Sequence, residues 1–258
     1  MPVIPSAVEE SLDISERARD VSTSLDMTKT FFAALHIYHD AAPQSAAMNM
    51  AIDEALLETA TIPCIRFFSW QSPALSFGYF GKFAHVASYA GKRDLVRRWT
   101  GGGIVFHGDD LTYSIVIPAS DPAFRESSMT IYERIHRALC RTLAGHGRGA
   151  ELLTVAALNE GRTGDGRSLE NDCFANPARA DVMMDGRKIA GAAQRRTPRG
   201  LLQQGSIQGI ATKTDIAQKF APALSANCSG FKINEEILKR ARELAQQKYG
   251  TDSWLRKR

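Results

Sequence analysis

The sequence lacks the features that mark secreted, membrane-spanning and metal-binding proteins. It has four cysteines in 258 residues, and none of them are spaced like metal ligands or arranged as a disulfide framework. No apolar run approaches the roughly 18 residues needed to span a bilayer, and no basic segment followed by an apolar stretch forms a secretory signal. We therefore expect a cytoplasmic protein without a metal site. Each cysteine (Cys64, Cys140, Cys173 and Cys228) is then a small core residue or a reactive thiol.

The net charge and composition exclude few classes of protein function. The formal net charge is +4, with 44% hydrophobic and 23% charged residues, which is the composition of an ordinary globular protein. The basic residues form no long block, so nothing in the sequence indicates binding to nucleic acid or to a membrane. A small positive excess suits an enzyme that meets an acidic protein partner, but it suits many other proteins as well.

Two stretches carry most of the functional information. The first, Arg97 to Pro118 (RRWTGGGIVFHGDDLTYSIVIP), places two arginines shortly before three glycines and continues through His107 into an apolar segment. Glycines let the backbone approach a ligand closely, here beside fixed positive charge. On a strand, Arg97 and Arg98 would point to opposite faces, so we expect one of them to reach a pocket.

The second stretch, residues 181 to 206 (DVMMDGRKIAGAAQRRTPRGLLQQGS), places Lys188 just after an Asp185-Gly186 turn that is typical of a β-hairpin. The other residues of this hairpin are mostly apolar, so we expect the lysine ammonium to point into a pocket. A buried cation there would contact a carbonyl, a carboxylate or a phosphate. The alternative is an ordinary solvated lysine in a turn.

Together the two stretches resemble motifs of the lipoate-protein ligase and octanoyltransferase family. These are Arg-Arg-x-(Ser/Thr)-Gly-Gly-Gly and Gly-(Arg/Lys)-Lys-(Ile/Val)-(Ala/Ser)-Gly, present here in the family's order and at its usual separation. Asn49 to Leu57, Ile65 to Gly78 and Lys248 to Leu255 are also similar to segments of the family, so the resemblance covers roughly residues 31 to 258.

The resemblance implies a role for each matching residue. Lys188 would hold the acyl carbonyl, and Cys173 would be the nucleophile of the cysteine-dependent octanoyltransferases. The substrate site would comprise Arg97, Arg98, Thr100, Gly101, Gly102, Gly103, His107, Gly191, Gln194, Gly205 and Ser206. The alternatives are a packing role for the cysteine, a bulge for the glycines and a structural role for His107. One departure is Gln203-Gln204, where the family commonly has a histidine near the Gly-Ser.

Two reactions stay open. In the first, the Cys173 thiolate attacks the thioester of an octanoylated acyl carrier protein. A lysine of a lipoyl domain or of a glycine-cleavage H-type protein then takes the octanoyl or lipoyl group, with no nucleotide or metal cofactor. In the second, a ligase uses ATP and Mg²⁺ to activate free lipoate as an adenylate. The absence of the accessory C-terminal domain common in ligases favours the transferase. A non-catalytic module that binds acyl groups or lipoyl domains is a third alternative.

The apolar spacing predicts an α/β (α+β) protein with a mixed, largely antiparallel sheet flanked by helices. The resemblance narrows this to the fold of biotin and lipoate ligases and class II synthetases. We predict helices at 44–60, 130–144, 212–224 and 234–249, and strands at 64–70, 74–77, 96–100, 103–106, 111–117, 152–155 and 201–207. Residues 159–172 are polar and glycine-rich and predict an active-site loop, and residues 27–258 are expected to form one catalytic domain.

Residues 1–26 mix charged residues with Ser and Pro and lie outside the resemblance, so we expect a disordered leader before a second possible start at Met27. Deleting this leader should leave the melting temperature and acyl transfer unchanged, because it has no apolar face to dock on the domain. Thermal unfolding and turnover of a chain that begins at Met27 test this prediction. A drop of more than about 5 °C would show that the leader packs on the domain.

Overall fold

The computed structural model describes residues 30–144, 149–154, 177–210 and 213–257. The predicted leader, the predicted loop at 159–172 and Cys173 lie outside these residues. None of the described helices is both long enough and apolar enough to cross a membrane.

The described residues form two β-sheets and a set of helices that pack on them. The strands are β1 (Leu35–His39), β2 (Cys64–Phe68), β3 (Ala74–Phe77), β4 (Asp94–Arg97), β5 (Ile104–Phe106), β6 (Leu111–Pro118), β7 (Ala150–Leu152), β8 (Val182–Met184), β9 (Arg187–Thr197), β10 (Gly200–Ile207) and β11 (Cys228–Phe231). The helices are α1 (Ala46–Thr59), α2 (Ser128–Ala144), α3 (Lys213–Leu224), α4 (Glu235–Leu244), which a π-helical turn at Ala245–Tyr249 continues, and α5 (Asp252–Leu255).

The larger sheet has eight strands in the order β11-β1-β2-β6-β10-β9-β8-β7. Strand β1 pairs in parallel with β11 and β2, and the other neighbours pair antiparallel. A smaller sheet has the order β4-β3-β5, in which β3 pairs in parallel with β4 and antiparallel with β5. The prediction of a mixed, largely antiparallel sheet flanked by helices is confirmed.

Helices cover both faces of the larger sheet. In β6, Ile115 and Ile117 belong to the apolar cluster under α2 and α3, whereas Val116 belongs to the cluster under α1 and α4. Successive side chains of a strand point to opposite faces, so a strand covered on both sides is apolar throughout. This explains the continuous apolar run from Ile115 to Pro118, while Thr112 and Ser114 earlier in the strand are buried polar residues.

Helix α1 is buried over most of its surface. Ten of its 14 side chains are buried, including those of Asp53 and Glu54. Asp53 pairs with Arg66 of β2 at 2.7 Å, and Glu54 pairs with Lys248 at 2.6 Å. Both carboxylates lie inside the protein because each is paired with a cation of another element.

Other differences concern elements that are short or polar. Strands β1 and β11 and helix α5 were not predicted. The strand expected at 96–100 lies at Asp94–Arg97, and the one expected at 152–155 lies at Ala150–Leu152, with residue 155 outside the described part. The hairpin turn was predicted correctly: Asp185 and Gly186 have φ values of 50° and 71°.

Arg66 is fully buried and pairs with both Asp40 and Asp53, so Arg66→Met should leave two carboxylates without their cation. We expect the free energy of unfolding to fall by about 3–5 kcal/mol. Denaturant titration measures this loss. Arg134→Met is the control, because its pair with Glu126 is partly exposed to solvent and should contribute at most about 1 kcal/mol. Equal losses in the two variants would contradict the prediction.

Candidate active site

A pocket lies between the two sheets and is largely apolar. Its apolar walls come from α1, β2, β5 and β9, and its polar groups come from β3, β6, β10 and the hairpin. The lining residues are Met50, Phe68, Trp70, Ser76, Arg98, Val105, His107, Thr112, Lys188, Gly191, Ala192, Ala193, Gln204, Gly205 and Ser206. An apolar cavity with a few convergent polar groups is the usual form of a small-molecule site.

The structure brings many of the predicted site residues together. Arg98, His107, Lys188, Gly191, Gly205 and Ser206 line the pocket. Thr100 and the glycines at 101–103 lie beside it, since Thr100 bonds to Gln204 and two of the glycines bond to Arg98. Gln194 does not line the pocket: its amide donates to Gln203 at 2.7 Å. Cys173 lies outside the described residues.

Lys188 is buried in the pocket wall. Its side chain is 3% exposed, and its Nζ lies 2.7 Å from Oδ2 of Asp181, which is itself 1% exposed. The alternative of a solvated turn lysine is therefore wrong. A Cβ at Gly191 would lie 2.5 Å from Cε and 2.7 Å from Nζ of this lysine, so only glycine leaves room for it.

Asp181 holds the Lys188 ammonium in place through their ion pair, and the sequence analysis did not identify it as a site residue. Its carboxylate accepts hydrogen bonds from the Tyr132 hydroxyl at 2.5 Å and from the backbone N–H of Ala178 at 2.6 Å. The Tyr132 oxygen in turn accepts the N–H of Ala192 at 3.0 Å. Burial and the nearby Asp181 charge raise the pKa of Tyr132, which keeps the phenol neutral as a donor. The sequence feature that could have indicated this role is an acidic residue directly before the hairpin that carries Lys188.

Arg98 organises the glycine loop. Its guanidinium donates to the carbonyls of Gly101 and Gly103 at 3.0 and 2.8 Å and to Oγ of Ser76 at 2.6 Å. Gly78 makes the loop's close approach possible, because a Cβ there would lie 2.1 Å from the carbonyl oxygen of Gly102. The loop is therefore wrapped around the arginine beside the pocket.

Arg97 points away from the pocket. It donates to five backbone carbonyls and thereby ties the segment after β3 to the chain around α5. The acceptors are Tyr79, Gly81, Trp254, Leu255 and Lys257. The assignment of Arg97 to substrate binding is not supported by this geometry, because its donors are used to hold the fold together.

His107 lies in a chain of hydrogen bonds along the pocket. Its Nε2 is 2.7 Å from Oγ of Ser76, and its Nδ1 is 2.7 Å from Oδ2 of Asp110. Burial lowers the pKa of His107, against the opposing effect of Asp110. Burial alone would raise the pKa of Asp110, but hydrogen bonds from His107, Ser206 and Thr112 lower it to about 2. A neutral imidazole thus donates from Nδ1 and accepts at Nε2.

Gln204, one of the two glutamines before the Gly-Ser, faces the pocket. Its carbonyl accepts the Thr100 hydroxyl at 2.8 Å, and its amide donates to Asp53 at 2.7 Å. The neighbouring Gly205 is needed for space, because a Cβ there would lie 2.3 Å from the ring of Tyr113. The glutamine therefore supports the glycine loop through hydrogen bonds and has no titratable group that could act as an acid or base.

The described cysteines are poor nucleophiles. Burial, with the nearby Asp53 charge, raises the pKa of Cys64 to about 12. Burial also raises the pKa of Cys140 to about 11 and that of Cys228 above its ordinary value. None of these three lines the pocket. A thiolate is the reactive form, so these positions are unsuited to acyl transfer.

Residues 45–230 match the model of the lipoyl protein ligase A/B catalytic domain. Octanoyltransferase LipM of Symbiobacterium thermophilum is 33% identical, over 80% of this chain and 92% of the relative. Octanoyltransferase LipM of Brevibacillus brevis is 28% identical, over 81% and 94%.

Among solved structures, a lipoate-protein ligase A bound with ATP superimposes with a TM-score of 0.66 at 20% identity, over 87% of this chain and 98% of that one. A bipartite lipoate-protein ligase of Thermoplasma acidophilum, studied with its E2 lipoyl domain, superimposes with a TM-score of 0.62 at 19% identity, over 87% and 96%. These structures share the fold of this chain.

Gly191→Ala should displace Lys188 without unfolding the protein, because the new methyl group meets the flexible end of the lysine. We expect acyl transfer to fall at least about a hundredfold, the cost of one lost oxyanion donor. The melting temperature should stay close to that of the wild type. Gly230→Ala is the control, since a Cβ there has no atom within 4 Å. An active Gly191→Ala enzyme would show that the lysine position is not required.

Proposed function

The chain belongs to the lipoyl protein ligase A/B catalytic domain family, and on this basis we propose that it is an octanoyltransferase. It moves an octanoyl or lipoyl group onto a lysine of a lipoyl-carrier protein through a cysteine thioester, as a step of protein lipoylation. The curated octanoyltransferases support this activity, since one of them is 33% identical over most of both chains.

The observation that carries the proposal is the buried Lys188 at the wall of an apolar pocket. An octanoyl group has an apolar chain and one polar carbonyl, and the pocket offers apolar walls with the Lys188 ammonium among its few polar groups. A lysine ammonium has three donors, so its pairing with Asp181 is compatible with a hydrogen bond to the acyl carbonyl. Such a donor stabilises the oxyanion that develops when the carbonyl is attacked.

Cys173 is the proposed nucleophile. The other three cysteines have raised pKa values and lie away from the pocket. Three residues separate Cys173 from Pro177, so the chain between their Cα atoms spans at most about 14 Å. The next residue, Ala178, bonds to the same carboxylate that holds Lys188. Cys173 therefore precedes this part of the site closely in the sequence, and a nearby cation would favour its thiolate.

The reaction has two balanced steps. The Cys173 thiolate attacks the carbonyl carbon of the donor thioester, a carbon–sulfur bond to the enzyme forms, the donor's carbon–sulfur bond breaks, and the donor leaves as a thiolate. The neutral amine of the acceptor lysine then attacks the carbonyl carbon of the enzyme thioester and forms a carbon–nitrogen bond. The attacking nitrogen loses a proton to solvent, the carbon–sulfur bond to the enzyme breaks, and the Cys173 thiolate leaves as the amide forms. Neither step consumes a nucleotide or needs a metal ion.

The proposed donor is octanoylated acyl carrier protein. The proposed acceptors are lipoyl domains or a glycine-cleavage H-type protein. A solved structure with the same fold is that of a ligase studied with its lipoyl domain, which supports an acceptor of this class. The alternative activity is an ATP-dependent lipoate-protein ligase that uses Mg²⁺ and a lipoyl-adenylate. The two activities differ in their need for ATP.

Mixing the purified protein with octanoyl carrier protein in the absence of ATP should produce an octanoyl adduct that hydroxylamine removes, because a thioester is more labile than an amide. Intact-mass analysis detects the adduct. Cys173→Ser should abolish both the adduct and turnover, since a serine hydroxyl is far less acidic than a thiol. Cys228→Ser is the matched control and should react like the wild type.

Full activity of Cys173→Ser would remove the thioester mechanism. Lipoylation of an acceptor that occurs with lipoate and ATP, without any transfer from the octanoyl carrier protein, would establish the ligase instead.

A further inference from the structure

One surface of the protein combines an exposed phenylalanine ring with an excess of positive charge. Phe80 is 83% exposed, which is unusual for a large apolar side chain. It lies in a depression that also contains Lys82, Arg256 and Lys257. We define the basic aromatic surface as Tyr79, Phe80, Lys82, Arg195, Arg256 and Lys257.

Tyr79 is the centre of this surface. Its hydroxyl accepts a hydrogen bond from Nζ of Lys257 at 2.7 Å, and the guanidinium of Arg195 lies 5.3 Å from its ring centroid. The hydrogen bond from Lys257, together with the charges of Arg195 and Lys248, lowers the pKa of Tyr79. The local potential is therefore positive, and the ring is held in place by cations on two sides.

Few acids offset these charges in the described residues. Lys248 pairs with Glu54, and Arg256 lies 3.6 Å from Asp252, whose side chain is 79% exposed. The buried Nε of Arg195 has no hydrogen-bond acceptor among the described residues. Buried polar atoms almost always have a partner, so this donor is suited to an anion brought by a bound molecule.

The surface borders the proposed active site. Ala193 and Arg195 lie two residues apart on β9, so they share a face about 7 Å apart, and Ala193 lines the pocket. On the other side, Gly78 packs against the glycine loop directly before Tyr79. A protein bound to this surface would therefore lie beside the pocket mouth.

We propose that the basic aromatic surface docks the acyl carrier protein that donates the octanoyl group, an inference that rests on the proposed function. A carrier protein presents carboxylates together with the phosphodiester at the base of its long, flexible thioester arm. Arginine and lysine side chains recognise both anions, and Phe80 provides an apolar contact at the centre. The arm allows the carrier to bind beside the pocket and still deliver its thioester.

The acceptor is the less suitable occupant. Its reacting amine ends a side chain with a four-carbon stem, so the acceptor must sit directly over the pocket. It also has no phosphodiester for the arginines. The anionic groups of the carrier protein and the length of its thioester arm therefore both favour the donor as the protein that binds this surface.

The test compares two octanoyl donors, the octanoyl carrier protein and the short thioester octanoyl-N-acetylcysteamine. For Lys82→Glu/Arg256→Glu we expect the KM for the carrier protein to rise at least about tenfold, as for lost electrostatic steering. Transfer from the short thioester and the KM for the lipoyl-domain acceptor should be unchanged. Raising the salt concentration should increase the wild-type KM for the carrier and affect the variant less.

Arg137→Glu/Lys219→Glu is the matched control, because it makes the same charge change on α2 and α3, on the other face of the larger sheet. It should leave every KM unchanged. Phe80→Ser is a second variant that does not threaten the fold, since the ring is exposed, and it should raise only the KM for the carrier protein.

An unchanged KM for the carrier protein in both surface variants would overturn the proposal. It would also be overturned if the acceptor KM rose instead, or if both donors were affected equally. Failure of the wild type to transfer octanoate even from the short thioester is a separate result, because it would refute the proposed activity.

Discussion

The buried carboxylate of Asp53 is the interaction on which the candidate site depends. It accepts hydrogen bonds from Arg66 of β2, Ser114 of β6 and Gln204 of β10, each at 2.7 Å, and so joins α1 to three strands of the larger sheet. Its charge orients the Gln204 amide, because the carboxylate requires the donor end. The carbonyl end then accepts the Thr100 hydroxyl, which places the glycine loop against the pocket.

The second constraint is space. Gly191, Gly205 and Gly78 each leave a volume that another group fills: the end of Lys188, the ring of Tyr113 and the carbonyl of Gly102. The pocket is therefore shaped by missing side chains as much as by those present. The end of the Lys188 side chain, which pairs with Asp181, lies where a side chain at Gly191 would project. The hairpin therefore needs a glycine three residues after the lysine.

The local pattern of apolar and turn-forming residues predicted much of the fold, because such patterns determine where turns and buried strands form. The Asp185-Gly186 turn and strands β3 and β6 were found from composition and spacing alone. The burial of α1 could not be found in this way, since its partners Arg66 and Lys248 are set by tertiary contact. The motif resemblance identified both Arg97 and Arg98, but it could not show that the two side chains have different roles. Arg97 is held by carbonyls more than 150 residues away, while Arg98 holds the loop beside it.

The same geometry limits the role of His107. The hydrogen bonds run from Arg98 through Ser76 and His107 to Asp110, which also accepts from Ser206 of β10. This chain joins the smaller sheet to the larger one across the pocket. Both imidazole nitrogens are occupied, and burial lowers the pKa of the ring. The histidine is therefore better suited to holding the two sheets in register than to accepting a proton, and in the proposed reaction the acceptor amine loses its proton to solvent.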